Sequence, residues 1–173
     1  PHDILPRGET GELIVSLSSP EAFQGYWRRL EADEKALRGG WYFTGDLVYE
    51  DEDGDIYTVD RVDDMVISGG ENIYPIEVED VVSRHPSVDE ACVVGLPDER
   101  WGQVVTAFIV PKRESNGDIV SLGGEDLDSF CRQAEDFADF KRPRRYEFVV
   151  ALPKSPTGKL LRRKLLEGEY ESL

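Results

Sequence analysis

The sequence predicts an α+β fold, in which a mostly β segment at residues 1–62 precedes a small α/β domain at residues 63–173, a short sheet flanked by helices. Apolar and polar residues alternate in the first segment, which predicts strands. In the second segment, β-branched runs typical of strands alternate with stretches of helical periodicity. Apolar residues make up 39% of the chain, enough for a core. Because 173 residues suit one domain plus a flank and the first residue is Pro1, we expect a piece of a larger protein.

The first segment is predicted to contain three strands. Alternating apolar residues within 8–17 predict one strand, and runs rich in aromatic and β-branched residues at 41–49 and 56–62 predict two more. The polar connection at 20–38 is expected to include a short helix. We interpret the acidic stretch 51–55 as a hairpin turn instead of a calcium loop, because it lacks that loop's glycine at the sixth position and its glutamate at the twelfth.

The second segment is predicted to alternate strands with helices. Gly69 and Gly70 would make a turn, Pro75 opens a helix that stops before Pro86, and Asn72 is expected to help cap that helix. The remaining predicted elements are strands at 88–96, 104–110 and 146–150, an amphipathic helix over 127–138, and a short helix over 160–166.

The charge balance and the few cysteines and histidines exclude several classes of function. With 36 acidic and 20 basic residues, the net charge is −16, which disfavours nucleic acid and anionic membranes as partners. No apolar run reaches the roughly 20 residues that cross a bilayer. Cys92 and Cys131 are expected to be reduced core thiols of a cytoplasmic protein, and with only two histidines, His2 and His85, a zinc site or a Ser-His triad has almost no material. A high-salt cytoplasm, which would screen the acidic surface, is one hypothesis.

A cluster of basic residues interrupts this acidic chain. Residues 141–164, which we call the basic segment, contain nine basic residues and one acid, Glu147. The segment therefore carries +8, and the rest of the chain carries −24. We expect the basic segment to face an anion, such as a phosphate-bearing ligand, or an acidic docking surface.

Three short motifs before residue 75 contain glycine, charged residues or both. Asp46, beside Gly45, could accept both hydroxyls of a ribose, although an ordinary turn is the simpler interpretation. Arg61, which is followed by Asp63, is typical of a surface ion-pair cluster at a domain boundary. The glycine pair at 69–70 makes either a plain turn or a surface on which a thin substrate lies against the backbone.

The fourth motif is the loop at residues 153–159. Pro153 and Pro156 predict a stiff, exposed loop that presents Lys159. It is not a phosphate-binding P-loop, because Pro153 stands at the first glycine position and Leu160 replaces the Ser or Thr. Lys159 is a candidate to bind a phosphate or carboxylate, and a solvated basic face is the alternative.

The order and spacing of these motifs resemble the adenylate-forming family of acyl-CoA ligases, carrier-protein adenylation domains and luciferases. The resemblance covers essentially the whole chain and is greatest to ligases for aryl and other carboxylic acids. It rests on residues 11–13, 25–27, 40–46, 60–64, 69–79 and 153–159. One departure is Asp60, which stands where the family usually has Gly before the Arg, so the local turn geometry is expected to differ.

The resemblance implies an enzyme that activates a carboxylic acid as acyl-AMP with ATP and Mg²⁺ and then transfers the acyl group to CoA. Residues 1–62 would be the β-rich tail of a large N-terminal domain, which would hold the acid pocket and most Mg²⁺ contacts. Residues 63–173 would be the mobile C-terminal domain, which rotates between the two half-reactions. The chain alone is expected to be inactive.

The same resemblance implies roles for individual residues. Asp46 and Arg61 would bind the ATP or AMP ribose, and Asp63 would be the hinge. Lys159 would be the catalytic residue that bridges the acyl carboxylate and the nucleotide phosphate.

For CoA, the resemblance implies that Gly69 and Gly70 line the pantetheine tunnel and that Trp101 stacks on the adenine. Arg142 and Arg144 would meet the CoA phosphates, with a packing Trp and a generic basic face as alternatives. Two other functions stay open: an adenylation enzyme that loads a carrier-protein thiol, and a non-catalytic module that binds a nucleotide or a partner.

Overall fold

The computed structural model describes residues 4–173, so His2 lies outside the described residues. The chain divides between Asp63 and Asp64 into two compact units. The elements of the first unit are β1 Gly11–Ser16, α1 Leu30–Ala36, β2 Leu37–Arg38, β3 Trp41–Glu50 and β4 Ile56–Arg61. Those of the second are β5 Val66–Ser68, β6 Glu71–Ile73, α2 Pro75–Ser83, β7 Val88–Asp98, β8 Gly102–Pro111, α3 Gly124–Gln133, a 3₁₀ turn at Asp139–Lys141, β9 Arg145–Phe148 and α4 Arg162–Leu166.

The first unit is built on an antiparallel sheet in which β3 is central. β1, β2 and β4 all pair with β3. The acidic stretch after β3 is a hairpin turn, as predicted, because Asp51 Oδ1 accepts the backbone N–H groups of Asp53 and Asp55 at 3.0 and 2.9 Å. Asp60 lies within β4 opposite Leu47, so the departure from the family pattern falls in a strand instead of a turn.

The second unit is a mixed sheet with a core on each face. Its order is β6-β5-β8-β7, and β9 adds to β8 as its parallel neighbour. Helices α2 and α3 contribute to one core, whose buried side chains include Val78, Val82, Val93 and Leu127. The second core contains Cys92, Val94, Phe108, Leu152 and Leu165. Burial on both faces explains the continuous apolar runs of β7 and β8. The predicted α+β fold class is confirmed.

Both cysteines are buried free thiols, as predicted. Burial, with a smaller contribution from the charge of Glu79, raises the pKa of Cys92 to about 12. Burial also raises the pKa of Cys131. Both thiols therefore act as apolar packing groups at neutral pH.

Two local predictions were wrong. The helix predicted to run to Ala138 ends at Gln133, because Ala134 is extended at the C-cap. A continued helix would aim Phe137 about 120° away from the inward face that Cys131 occupies, whereas the break lets Phe137 pack against the core. Asn72 does not cap α2; it pairs with Ile67 in the β5–β6 hairpin, and the N-cap is Tyr74 without a side-chain bond.

In the part of the chain that the structure describes, no helix has the length and apolar character needed to cross a membrane. Nor do residues 4–173 bring together three or more His, Cys, Asp or Glu side chains in a way that could hold a metal ion.

Candidate functional site

Asp46 and Arg61 face each other across β3 and β4. Arg61 Nη1 donates a hydrogen bond to Asp46 Oδ1 at 2.7 Å, which is the short distance expected of a charge-assisted bond. The two side chains keep 47% and 37% of their surface exposed. The pair therefore presents a free carboxylate oxygen and a cation to the same exposed region, which suits hydroxyl groups beside a phosphate.

Gly45 makes room for this pair. Its φ is +75°, and a Cβ at this position would lie 2.9 Å from Arg61 Nη2. Its backbone N–H donates to Glu12 Oε1 at 3.0 Å, and its carbonyl accepts the N–H of Val62 at 2.9 Å. A side chain at position 45 would thus strain the backbone and push Arg61 away from Asp46. Sequence analysis did not find the contribution of Glu12.

Asp63 lies at the end of the first unit, beside the same region. Lys35 Nζ contacts both of its carboxylate oxygens at 3.1 Å. Gly45, Arg61 and Asp63 line a common cavity of about 310 Å³. The structure therefore brings the predicted ribose-binding residue Arg61 and the predicted hinge residue together within one unit.

Gly69 and Gly70 form the turn between β5 and β6. Their φ angles are +61° and +90°, so both central residues of this hairpin need the left-handed region that glycine allows. Gly69 N–H donates to the carbonyl of Trp101 at 2.9 Å, and a Cβ at position 69 would lie 2.9 Å from Trp101 Cε3. A Cβ at position 70 would have no heavy atom within 4 Å. The predicted tunnel glycines and the predicted adenine-stacking Trp are direct neighbours.

Trp101 is held by the turn between β7 and β8. Asp98 Oδ1 accepts the backbone N–H groups of Arg100 and Trp101, both at 3.0 Å. The Arg100 guanidinium lies over the indole ring, 4.6 Å from its centroid. The side chain of Trp101 is nevertheless 42% exposed, more than expected of a core Trp. Part of Trp101 is therefore open to solvent.

The loop that carries Lys159, residues 153–161, is closed by its own hydrogen bonds. Ser155 N–H donates to the carbonyl of Lys159 at 2.8 Å, and Lys159 N–H donates to Ser155 Oγ at 3.1 Å. At the base, Leu161 N–H donates to the carbonyl of Pro153 at 2.9 Å. With two prolines in addition, the loop holds its shape as a unit and leaves the Lys159 side chain exposed.

Lys159 differs from every other cation of the basic segment. Eight of the nine pair with a carboxylate, namely Lys141, Arg142, Arg144, Arg145, Lys154, Arg162, Arg163 and Lys164. Lys159 has no carboxylate partner among residues 4–173. The expected excess of positive charge on this segment is therefore largely neutralised, and the uncompensated charge stands at Lys159.

Arg142 and Arg144 are placed differently. Arg142 is 5% exposed, and its guanidinium binds the carboxylates of Asp128 and Asp139. Burial, and secondarily the charge of Arg144, hold the pKa of Arg142 below its ordinary value. Arg144 is exposed and pairs with Asp139 at 3.4 Å. Both arginines line a cavity of about 560 Å³ together with Tyr146, but only Arg144 has an exposed side chain.

Sequence analysis missed a partly buried ion-pair cluster around Arg162, which it counted only as part of a basic face. Arg162 Nη2 contacts both oxygens of Glu79 at 2.8 Å, and Nη1 contacts Asp64 Oδ2 at 3.3 Å. Burial is the largest single influence on the pKa of Arg162 and lowers it, but the combined attraction of Glu79, Cys92 and Asp64 is greater, so the pKa lies above its ordinary value. One signal was available: Leu165, three residues on, lies on the same helix face, and Leu165 is buried.

With this geometry in place, the comparison with known proteins is specific. Residues 77–159 match the family described as the AMP-binding enzyme C-terminal domain. Residues 77–159 therefore form an AMP-binding enzyme C-terminal domain, and the predicted resemblance is confirmed.

The individual relatives are ligases. The chain is 49% identical over 157 residues to the 2-succinylbenzoate–CoA ligase of Geobacillus kaustophilus, covering 91% of the chain and 30% of that ligase. It is 43% identical over 163 residues to a fatty acid–[acyl-carrier-protein] ligase of Streptomyces coeruleorubidus, covering 93% and 29%. The o-succinylbenzoate CoA synthetase of Bacillus subtilis, solved with its acyl-adenylate intermediate, matches with a TM-score of 0.79 and 37% identity over 98% of this chain and 33% of that one. The chain thus spans 29–33% of the length of these relatives.

Proposed function

We propose that this chain is the C-terminal part of an ATP-dependent acid–CoA ligase, which forms an acyl-adenylate and then an acyl-CoA thioester. The observation that carries the proposal is Lys159, the one cation of the basic segment without a carboxylate partner among residues 4–173, held at the tip of a closed loop. An ammonium without an internal partner is available to an anionic ligand. The ligase names of the relatives support the same reaction class.

In the first half-reaction, the acid's carboxylate attacks the α-phosphate of ATP and pyrophosphate leaves. Negative charge accumulates where carboxylate and phosphate approach, and an ammonium placed between them offsets their repulsion. Lys159 would supply that charge, while Asp46 would accept the ribose hydroxyls and Arg61 would hold Asp46 in place. Mg²⁺ would accompany ATP, with its protein contacts mainly on an N-terminal domain of which residues 1–62 form the tail.

In the second half-reaction, the CoA thiol attacks the acyl carbon and AMP leaves. Gly69 and Gly70 would let the pantetheine arm lie against the backbone, because a Cβ is absent from both. Trp101 would stack on the adenine, and Arg144 would contact a CoA phosphate. Arg142, bound to Asp128 and Asp139, would hold the segment that presents Arg144.

The same domain would serve both half-reactions by rotating about Asp63, with residues 63–173 moving as the C-terminal domain. We place the reaction in the cytoplasm, where ATP and CoA are available. The chain by itself is expected to be inactive, because the acid pocket would lie outside it.

The test is an assay of the full-length protein that contains this chain. With ATP, Mg²⁺ and a panel of aryl and aliphatic carboxylic acids, pyrophosphate release and an acyl-CoA product are expected for at least one acid. The matched control is the 173-residue chain with the same components, which should release none. Absence of pyrophosphate release with every acid, from a folded full-length protein, would contradict the proposal.

A carrier-protein thiol is the second candidate acceptor, because one relative is a fatty acid–[acyl-carrier-protein] ligase. The exposed Trp101 beside Gly69 favours CoA, since a carrier protein presents its pantetheine without the adenine that an indole would stack on. Parallel assays with CoA and with a phosphopantetheinylated carrier protein separate the two. A thioester on the carrier but none on CoA would favour the second candidate.

A further inference from the structure

The position of Lys159 depends on what holds the base of its loop. The loop at 153–161 is closed within itself, so its tip cannot be placed independently of its two ends. One end follows Leu152, which is buried in the second core. The other end is Leu161, and the next residue is Arg162, three positions after Lys159.

Within the part of the chain that the structure describes, Arg162 and Arg142 are the two cations of the basic segment that each contact two carboxylates. The side chain of Arg162 is 19% exposed, and its two terminal nitrogens contact Glu79 and Asp64. Because Nη2 contacts Glu79 and Nη1 contacts Asp64, the planar guanidinium is held at two points, which fixes its orientation as well as its distance. Arg163, the next residue, gives the contrast: it is 82% exposed and reaches Glu167 only at 3.7 Å.

Glu79 is itself fixed to the core. Its Oε1 accepts the backbone N–H of Val93 at 2.8 Å, and Val93 belongs to the central part of β7 and is fully buried. Arg162 therefore connects the loop base to the sheet through one carboxylate. Through Asp64, it also connects the loop base to the first residue of the second unit.

We propose that Arg162 is a positioning residue for Lys159, which fixes the 153–161 loop against Glu79 and Asp64 so that the ammonium stands at a constant place in the unit. The inference rests on the proposed function, because it assigns Arg162 to adenylation through Lys159. Glu79 and Asp64 are the two anchors. Glu79 is the stronger, because Arg162 contacts both of its oxygens at 2.8 Å and only one oxygen of Asp64 at 3.3 Å.

The test compares Arg162→Lys with Arg163→Lys in the full-length protein. Lysine keeps the positive charge but has a single nitrogen in place of the planar fork, so the loop base should loosen without removing all positive charge from the partly buried carboxylates. Arg162→Lys should lower the rate of acyl-adenylate formation by about 10- to 100-fold. A loss of this size is expected when a reacting group is displaced by up to about one ångström. Thioester formation from supplied acyl-adenylate and CoA should stay within about twofold, and Arg163→Lys should change neither step.

Two further measurements separate positioning from general damage to the fold. In a Lys159→Ala background, Arg162→Lys should cause no additional loss of adenylation, because Arg162 acts through Lys159. Amide hydrogen exchange of residues 155–161 should become faster in Arg162→Lys and not in Arg163→Lys. Asp64→Asn, which removes the weaker anchor, should show the same pattern at smaller size.

Equal losses in both half-reactions, or losses that multiply with Lys159→Ala, would overturn the inference and make Arg162 an ordinary fold contact. Unchanged exchange of the loop in Arg162→Lys would overturn it as well. Failure of the proposed function has a different signature: the unmodified full-length protein would form no acyl-adenylate, whatever the exchange of the loop shows.

Discussion

The two loops of the second unit to which the proposed function assigns roles are built on opposite principles. The 153–161 loop is closed by hydrogen bonds and presents one charge, Lys159, that has no carboxylate partner in the described chain. The turn at Gly69 and Gly70 presents no side chain at all and is backed by Trp101. One loop can contribute electrostatics and the other only space. Substitutions in the two loops should therefore affect different half-reactions, and this contrast is open to direct tests.

The largest expected effect is that of Lys159→Ala in the full-length protein. Removing the only uncompensated charge of the loop should lower acyl-adenylate formation by about 10²- to 10³-fold, the usual loss for one donor that stabilises a charged transition state. Thioester formation from pre-made acyl-adenylate should be nearly unaffected. Rapid-quench measurement of each half-reaction checks this. Equal losses of rate in both half-reactions would show that the two loops do not act in different steps.

The next effect is the converse one, from Gly70→Leu. Because the space beside position 70 is empty of protein atoms, the new side chain would enter the region proposed for pantetheine and should lower thioester formation by roughly 10- to 100-fold. Positive φ alone costs about 1–2 kcal/mol of stability. Gly117→Leu is the matched control, since Gly117 has the same φ of +90° and equally open surroundings. If both variants transfer the acyl group equally well, the tunnel assignment is wrong.

A smaller effect is expected from Trp101→Ala. Stacking of one base on an aromatic ring is worth about 1–3 kcal/mol, so the KM for CoA should rise about tenfold while the KM for ATP stays constant. Trp27→Ala, which removes another exposed Trp in the first unit, is the control. A CoA KM that does not change would return Trp101 to a packing role against Gly69.

The smallest functional effect should come from Arg144→Ala, in contrast with Arg142→Ala. Arg144 is exposed, so its loss should raise the KM for CoA only about two- to fivefold and leave the melting temperature unchanged. Arg142 is buried between two carboxylates, and breaking such a pair costs about 3–5 kcal/mol of unfolding free energy. Thermal unfolding distinguishes the two: similar stability losses would contradict the different placement of these arginines.

Much of this arrangement could be predicted from sequence because it is local. The φ preference of Gly69 and Gly70, the proline-stiffened loop of Lys159 and the acidic hairpin turn each depend on a few consecutive residues. The apolar runs of β7 and β8 predict buried strands for the same reason. The α+β class follows from these elements and their order, and the family resemblance follows from the spacing of the short sequence motifs.

What escaped prediction depends on contacts between distant residues. Arg142 and Arg144 are two positions apart and look alike in sequence. Only Arg142 is buried, where it pairs with Asp128 and Asp139. The partner of Arg162 is Glu79, 83 positions earlier, and no periodicity connects them. The early end of α3 likewise depends on the packing of Phe137 against the core. The helical pattern of the sequence gives no information on that packing.

Asp63 and Asp64 are consecutive residues whose carboxylates form ion pairs in different units. Lys35 holds the first within the first unit, and Arg162 holds the second within the second unit. A turn of the backbone between them needs only two torsion angles, ψ of Asp63 and φ of Asp64, and neither carboxylate has to release its partner. The proposed rotation would thus change the backbone torsions at this one junction, with both ion pairs kept and no secondary structure unfolded on either side.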